Sequence, residues 1–81
     1  HDIIEEAELN ARINQAINAL PEKCRQVFVL CRFEGLKYKQ IAGRLGISEK
    51  TVSMQMGIAL RKMRKKLSDI QSFNFLLFLF F

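Results

Sequence analysis

The sequence predicts an all-α fold: a four-helix domain containing a helix-turn-helix, with a hydrophobic C-terminal tail packed on it. Two observations carry that prediction. Apolar residues recur at three- and four-residue spacing from Leu9 to Leu67, the period of a helix with one buried face. Pro21, Gly35, Gly46 and Ser48 fall between the periodic runs, where helices must stop and start.

The first helix is expected from about Ile3 to Ala19. Leu9, Ile13, Ala16, Ile17 and Leu20 form its inner face, and the early acids Asp2, Glu5 and Glu6 suit the positive end of the helix dipole. Pro21 cannot sit in a helix interior but is tolerated at the first helical position, so it divides the first helix from a second running to about Phe33. Cys24, Val27, Phe28 and Cys31 should face inward there, and Gly35 supplies the left-handed residue that closes many helices. Tyr38, Ile41, Ala42 and Leu45 repeat the spacing over eight residues, giving a short third helix stopped by Gly46. Ser48 is a good N-cap for a fourth helix from Glu49 to about Leu67, because its hydroxyl can accept from a free amide of the first turn. Val52, Met56, Ala59, Leu60, Met63 and Leu67 form the buried stripe of that helix, and Lys50, Met54, Gly57, Arg61 and Lys65 point the other way. Gly43 and Gly57 lie inside helices, each at a cost of about 1 kcal/mol relative to Ala. Gly57 faces outward, where it either admits a close approach or is a tolerated defect.

At 81 residues the chain is one small domain, with a core expected to supply about 3–5 kcal/mol and no room for an enzyme-sized cleft. The organisation is residues 1–72 as the helical domain and 73–81 as the tail. His1 in place of Met suggests a piece of something longer. The net charge of +5 is unevenly distributed. Residues 1–22 hold five acids against Arg12 alone, a balance of −4, whereas residues 23–81 hold twelve Lys and Arg against three acids, a balance of +9. The basic portion can neutralise phosphates while the first segment stays away from them.

Cys24 and Cys31 lie seven apart, about two turns along one helix face and too far for a disulfide. Two thiols with one imidazole make a zinc site improbable, so no metal and no cofactor is expected. No paired carboxylates or activated nucleophile can be assembled, which argues against an enzyme and a small-molecule substrate. Reduced cysteines and the absence of a signal peptide suit a cytoplasmic setting.

The helix-turn-helix rests on Ala42, Gly46, Ser48 and Val52. Ala42 must be small where the next helix crosses, Gly46 must take a positive φ, and Val52 packs back into the angle between the helices. In such a motif the second helix enters the major groove of double-stranded DNA with its N-terminal residues at base edges. Those residues are Lys50, Thr51, Ser53, Met54 and Gln55: Lys50 can donate to guanine, Gln55 can pair with adenine, and Thr51 or Met54 can meet a thymine methyl. Lys37, Tyr38, Lys39 and Arg44, with Arg61, Lys62, Arg64 and Lys65, are the candidates for phosphates.

The runs Leu20-Pro21-Glu22-Lys23-Cys24-Arg25-Gln26-Val27-Phe28, Phe33-Glu34-Gly35-Leu36-Lys37-Tyr38-Lys39-Gln40-Ile41-Ala42 and Leu45-Gly46-Ile47-Ser48-Glu49-Lys50-Thr51-Val52 resemble region 4 of extracytoplasmic-function sigma factors. With Ala59-Leu60-Arg61-Lys62-Met63-Arg64 the resemblance covers about Ile13 to Leu67, and Gly57-Ile58-Ala59-Leu60 is similar to the iron-uptake-regulating subgroup common in Bacteroidetes. It implies a domain that reads the −35 promoter element for RNA polymerase, with another face for the β flap of the polymerase core and an anti-sigma factor that masks these surfaces. It also implies a promoter-melting region elsewhere in the parent protein. Ser53, Met54 and Gln55 stand where many members carry arginines, so base preference does not transfer. Response-regulator effector domains share the Ile-Ser-Glu-Lys-Thr-Val run but lack the Leu-Pro opening. A third alternative is a protein-interaction module that binds polymerase or an anti-sigma factor without DNA.

The tail, Phe73 to Phe81, is apolar at eight of nine positions. As a helix it measures about 13 Å against the roughly 30 Å of a bilayer core, so no membrane span is expected. The leading expectation is that it enlarges the core; masking a partner surface and peripheral membrane contact are the alternatives.

Overall fold

The computed structural model describes residues 5–70, which hold four helices: α1 (Glu6–Asn18), α2 (Glu22–Arg32), α3 (Tyr38–Leu45) and α4 (Glu49–Lys66). The fold is all-α, as the periodicity predicts. Helix α4 is the central element, packed on each of the other three, while α2 also packs on α3. The tail Phe73–Phe81, with its expected packing, lies outside the described residues.

The termini follow local chemistry. Helix α1 starts at Glu6 rather than the expected Ile3, because Glu5 is extended (φ −68°, ψ 151°) and serves as the N-cap. Pro21 is likewise the extended N-cap of α2 (φ −55°, ψ 152°) and not its first helical residue. The last carbonyls of α1 have no basic residue of their own helix nearby. Arg25 reaches back from α2 instead, its guanidinium donating to the carbonyl of Leu20 at 3.1 Å and of Asn18 at 3.4 Å. Gly35 (φ 70°) and Gly46 (φ 68°) both adopt the left-handed conformation expected of helix-closing glycines. At Gly46 the amide of Ile47 returns to the carbonyl of Ala42 at 3.1 Å, the long bond of a Schellman closure. The Gln40 side chain accepts from the Lys37 amide at 2.8 Å, satisfying one free donor at the start of α3.

The core follows the helical stripes. Ala16, Ile17 and Leu20 of the first segment, Cys24, Val27 and Phe28 of α2, Ile41 and Ala42 of α3, and all six expected positions from Val52 to Leu67 are buried. Leu9, Ile13, Cys31 and Leu45 are half-buried at its edge. Three residues depart from expectation. Tyr38, placed on the inner stripe of α3, is 37% exposed; it is the first residue of that helix, a turn ahead of the buried pair Ile41 and Ala42. Leu30 is buried although it lies off the α2 stripe, since α2 packs on both α3 and α4 and two neighbours widen the covered face. Ile70, beyond the last helix, is also buried, its amide bonded to the Leu67 carbonyl at 3.1 Å. Both cysteines are free, as expected from their spacing.

One ion pair ties the chain ends of the described domain together: Arg12 of α1 donates to Asp69 at 2.7 Å. That hydrogen bond is the main reason the Asp69 carboxyl sits below its ordinary value of 3.8. A depressed carboxyl contributes stability above its unfolded value and loses it as the pH falls through the folded one. Asp69→Asn should therefore lower the melting temperature slightly at neutral pH, and the gap to the wild type should close in thermal melts taken well below pH 3.8.

Candidate nucleic-acid interface

The helix expected to face DNA begins with a well-formed cap. Ser48 is extended (φ −79°, ψ 157°), and its Oγ accepts from the Thr51 amide at 3.0 Å while its hydroxyl donates to Thr51 Oγ1 at 3.0 Å. The cap fixes where α4 starts, and so sets the rotation of every later side chain. Below it, Ile41 and Val52 are fully buried and Ala42 nearly so, which holds α3 and α4 at the angle that the small Ala42 and left-handed Gly46 permit.

The five candidate base readers do not share one environment. Lys50, Ser53 and Met54 are exposed at the start of α4, and Met54, at 55% exposure, is a large apolar side chain held out in solvent. Thr51 is half-buried with its hydroxyl engaged in the cap. Gln55 is half-buried on the flank facing α2, where its Oε1 accepts from Cys24 Sγ at 3.0 Å. Burial pushes the Cys24 thiol above its ordinary value, which keeps it protonated as that donor. Gln55 is thus drawn inward, and the exposed tip of the helix is Lys50, Ser53 and Met54.

The phosphate candidates also divide. Lys37, Tyr38, Lys39 and Arg44 are exposed along the start and outer side of α3, with Arg44 Nη1 3.8 Å from Glu34. On α4, Lys50, Met54, Gly57 and Arg61 follow one another at four, three and four residues, a single stripe, and Arg64 and Lys65 continue it on either side. Lys62 does not belong to that stripe. It stands about 100° round the helix from Arg61, beside Lys66, and both line a groove floored by Ala16, Ala19 and Leu20, which Lys65 borders from the edge of the stripe. Lys62 is adjacent in the chain to the other phosphate candidates and Lys66 is not among them, yet the i, i+4 relation of Lys62 and Lys66 puts these two on one flank.

Gly57 is half-buried within that stripe, and a Cβ there would meet only Arg61 Nη1 at 3.7 Å, an ordinary contact. Gly57→Ala should raise stability by about 0.5–1 kcal/mol, visible as a melting temperature higher by several degrees. An unchanged or lower melting temperature would show that the helix needs the gap.

Among the described residues no group of three or more His, Cys, Asp or Glu could hold a metal ion, and no helix is long and apolar enough to cross a membrane. The arrangement is a capped helix with an outward stripe of polar, apolar and cationic side chains, flanked by exposed cations of the preceding helix.

Residues 10–63 match the family described as "Sigma-70, region 4". Over 70 residues the chain is 32% identical to a protein of Mycolicibacterium smegmatis described as "ECF RNA polymerase sigma factor SigE". The aligned part is 86% of this chain but 27% of that protein, so the chain spans about a quarter of the relative's length.

Proposed function

Since this chain belongs to the sigma-70 region 4 family, we propose that it is the promoter-contacting domain of an alternative sigma factor of the extracytoplasmic-function type, holding RNA polymerase at the −35 element. The single observation that carries this reading is the outward stripe of exposed Lys50, Met54 and Arg61 with half-buried Gly57 on a helix capped at Ser48, and Lys37, Lys39 and Arg44 exposed at the start and along the helix before it. A major groove accepts one helix and reads its N-terminal side chains, while cations at its borders meet phosphates. Lys50 is the cation at the reading tip, and Ser53 and Met54 complete it; Met54 suits a thymine methyl. Gln55, held by Cys24, contributes less. The family match includes the Leu20-Pro21 opening that response-regulator effector domains lack, which favours the sigma reading over that one.

Direct base contacts being few, the isolated chain should bind duplex DNA weakly and gain its promoter preference together with polymerase core, whose β flap is the proposed protein partner. An anti-sigma factor that covers these surfaces is the proposed regulator, and the bacterial cytoplasm the proposed compartment.

Selection from a randomised duplex pool at low salt tests this directly. The full chain should enrich a short common sequence, and Lys50→Ala should relax the preference at about one base pair, with a cost of about 1–3 kcal/mol. A pool that stays random, alongside firm binding of polymerase core, would instead establish the interaction-module reading. That reading draws its support from the exposed, uncharged Ser53 and Met54 at the helix tip.

A further inference from the structure

The last turns of α4 are ringed with cations. Arg61, Lys62, Arg64, Lys65 and Lys66 are all exposed, and none forms an ion pair with an acid among the described residues. At about 100° per residue they cover about 200° of the helix circumference. The helix dipole favours cations in the last turn, where Arg64, Lys65 and Lys66 stand, but Arg61 and Lys62 precede it. Asp69, the acid that follows them in the chain, is already held by Arg12 at 2.7 Å.

From this collar the sequence runs into its most apolar stretch. Ile70 is buried, its amide bonded to the Leu67 carbonyl at 3.1 Å. From residue 71 to residue 81 the sequence holds five Phe, three Leu and no charge. The three residues from Ile70 to Phe73 span at most about 11 Å, so the apolar stretch starts beside the cations. The described domain offers it little apolar surface there. The large exposed apolar side chains are Phe33, Tyr38 and Met54, just past the end of α2, at the start of α3 and in the first half of α4. The hollow between α1 and α4 is floored in part by Ala16 and Leu20, which are 3% and 4% exposed, and bordered by Lys62, Lys65 and Lys66. The surroundings of the apolar stretch are therefore cationic.

We propose that this end of the molecule binds the surface of an anionic lipid bilayer, with the cations of α4 at headgroup phosphates and the Phe and Leu side chains of 73–81 in the boundary between headgroups and acyl chains. A short apolar anchor alone is marginal and a polybasic patch alone is screened by salt, whereas the two together give stable peripheral attachment. Each Lys or Arg that reaches an anionic surface is worth about a fivefold gain in affinity. Arg61, Arg64 and Lys65 also belong to the surface proposed for DNA, so on that reading lipid and duplex exclude one another. The lipid attachment itself rests on the collar and the apolar stretch, independently of promoter binding.

Flotation of the full chain with vesicles tests this. Vesicles of equal phosphatidylglycerol and phosphatidylcholine at about 0.1 M salt should carry the chain, and vesicles of phosphatidylcholine alone should bind it about a hundredfold more weakly, as about three facing cations imply. About 0.5 M salt should erase that difference. Lys62→Gln with Lys66→Gln, both exposed and off the outward stripe of α4, should weaken attachment to the anionic vesicles by about five- to twenty-fivefold. Phe75→Ser, Phe78→Ser and Phe80→Ser in one chain should weaken it at least a hundredfold, roughly as expected for removing three buried phenylalanines. Without lipid, that triple variant should melt at the wild-type temperature. A lower melting temperature would assign the apolar stretch to the chain's own core, and a wild-type oligomer that the triple variant lacks would assign it to a second copy. Either result, equal attachment to neutral and anionic vesicles, or no attachment to either would overturn the proposal.

Discussion

Phe28→Ala should abolish cooperative folding of this domain. Phe28 is 1% exposed and is among the largest fully buried side chains, sitting mid-way along α2 where that helix packs on α4. Truncating a buried phenylalanine costs about 3–5 kcal/mol, from lost transfer free energy and from the cavity left behind. A domain of this size has a total stability of about the same magnitude. The variant should therefore show no thermal transition by circular dichroism under conditions where the wild type unfolds cooperatively. Phe33→Ala is the matched control. Phe33 is 64% exposed and meets Phe28 edge-on, with ring centroids 6.4 Å apart and planes at 71°. Its loss removes little buried area and one aromatic pair, so the penalty should stay within about 0.5–1.5 kcal/mol. Similar melting temperatures for the two variants would contradict this placement of the core.

The second large effect concerns salt. If Lys37, Lys39, Arg44, Arg61, Arg64 and Lys65 each neutralise a phosphate in the proposed complex, log affinity for duplex DNA should fall with log salt at a slope of about −5. Affinity would drop about a thousandfold between 50 and 200 mM monovalent salt. Arg61→Ala should make that slope shallower by about one contact, because Arg61 stands on the outward stripe with Lys50 and Met54. Lys62→Ala should leave it unchanged, because Lys62 faces the groove against α1. Fluorescence anisotropy titrations at several salt concentrations read both slopes. Equal changes from the two substitutions would mean that α4 is rotated in the complex or that both flanks contact DNA.

The contrast between Arg61 and Lys62 illustrates how much of the candidate site was legible in the sequence. The run Arg61-Lys62-Met63-Arg64-Lys65 reads as one basic block, and a phosphate role for the whole block is the natural expectation. Successive helix residues point about 100° apart, so neighbours in the chain serve different surfaces. Assigning those surfaces requires knowing what covers each flank. Gln55 shows the same limit: its partner Cys24 is thirty-one residues away, and no local pattern links them. Leu30 was unreadable for a related reason, since it is buried by α3, a helix that lies beyond the closing turn at Gly35.

What the sequence determined by itself is local. Gly46 had to end α3, because its left-handed φ of 68° strains any residue with a Cβ. Ser48 had to start α4, because its hydroxyl satisfies an amide three residues on. The spacing from Val52 to Leu67 fixed the buried face of α4, and with it the stripe that faces outward. The tertiary structure decided how α1 and α2 lie on the flanks of α4. That choice drew Gln55 to Cys24, turned Lys62 and Lys66 toward α1, and left Lys50, Ser53 and Met54 as the exposed tip. Turn and cap chemistry acts within a few residues, so it can be read along the chain; which flank is covered depends on the meeting of segments dozens of residues apart.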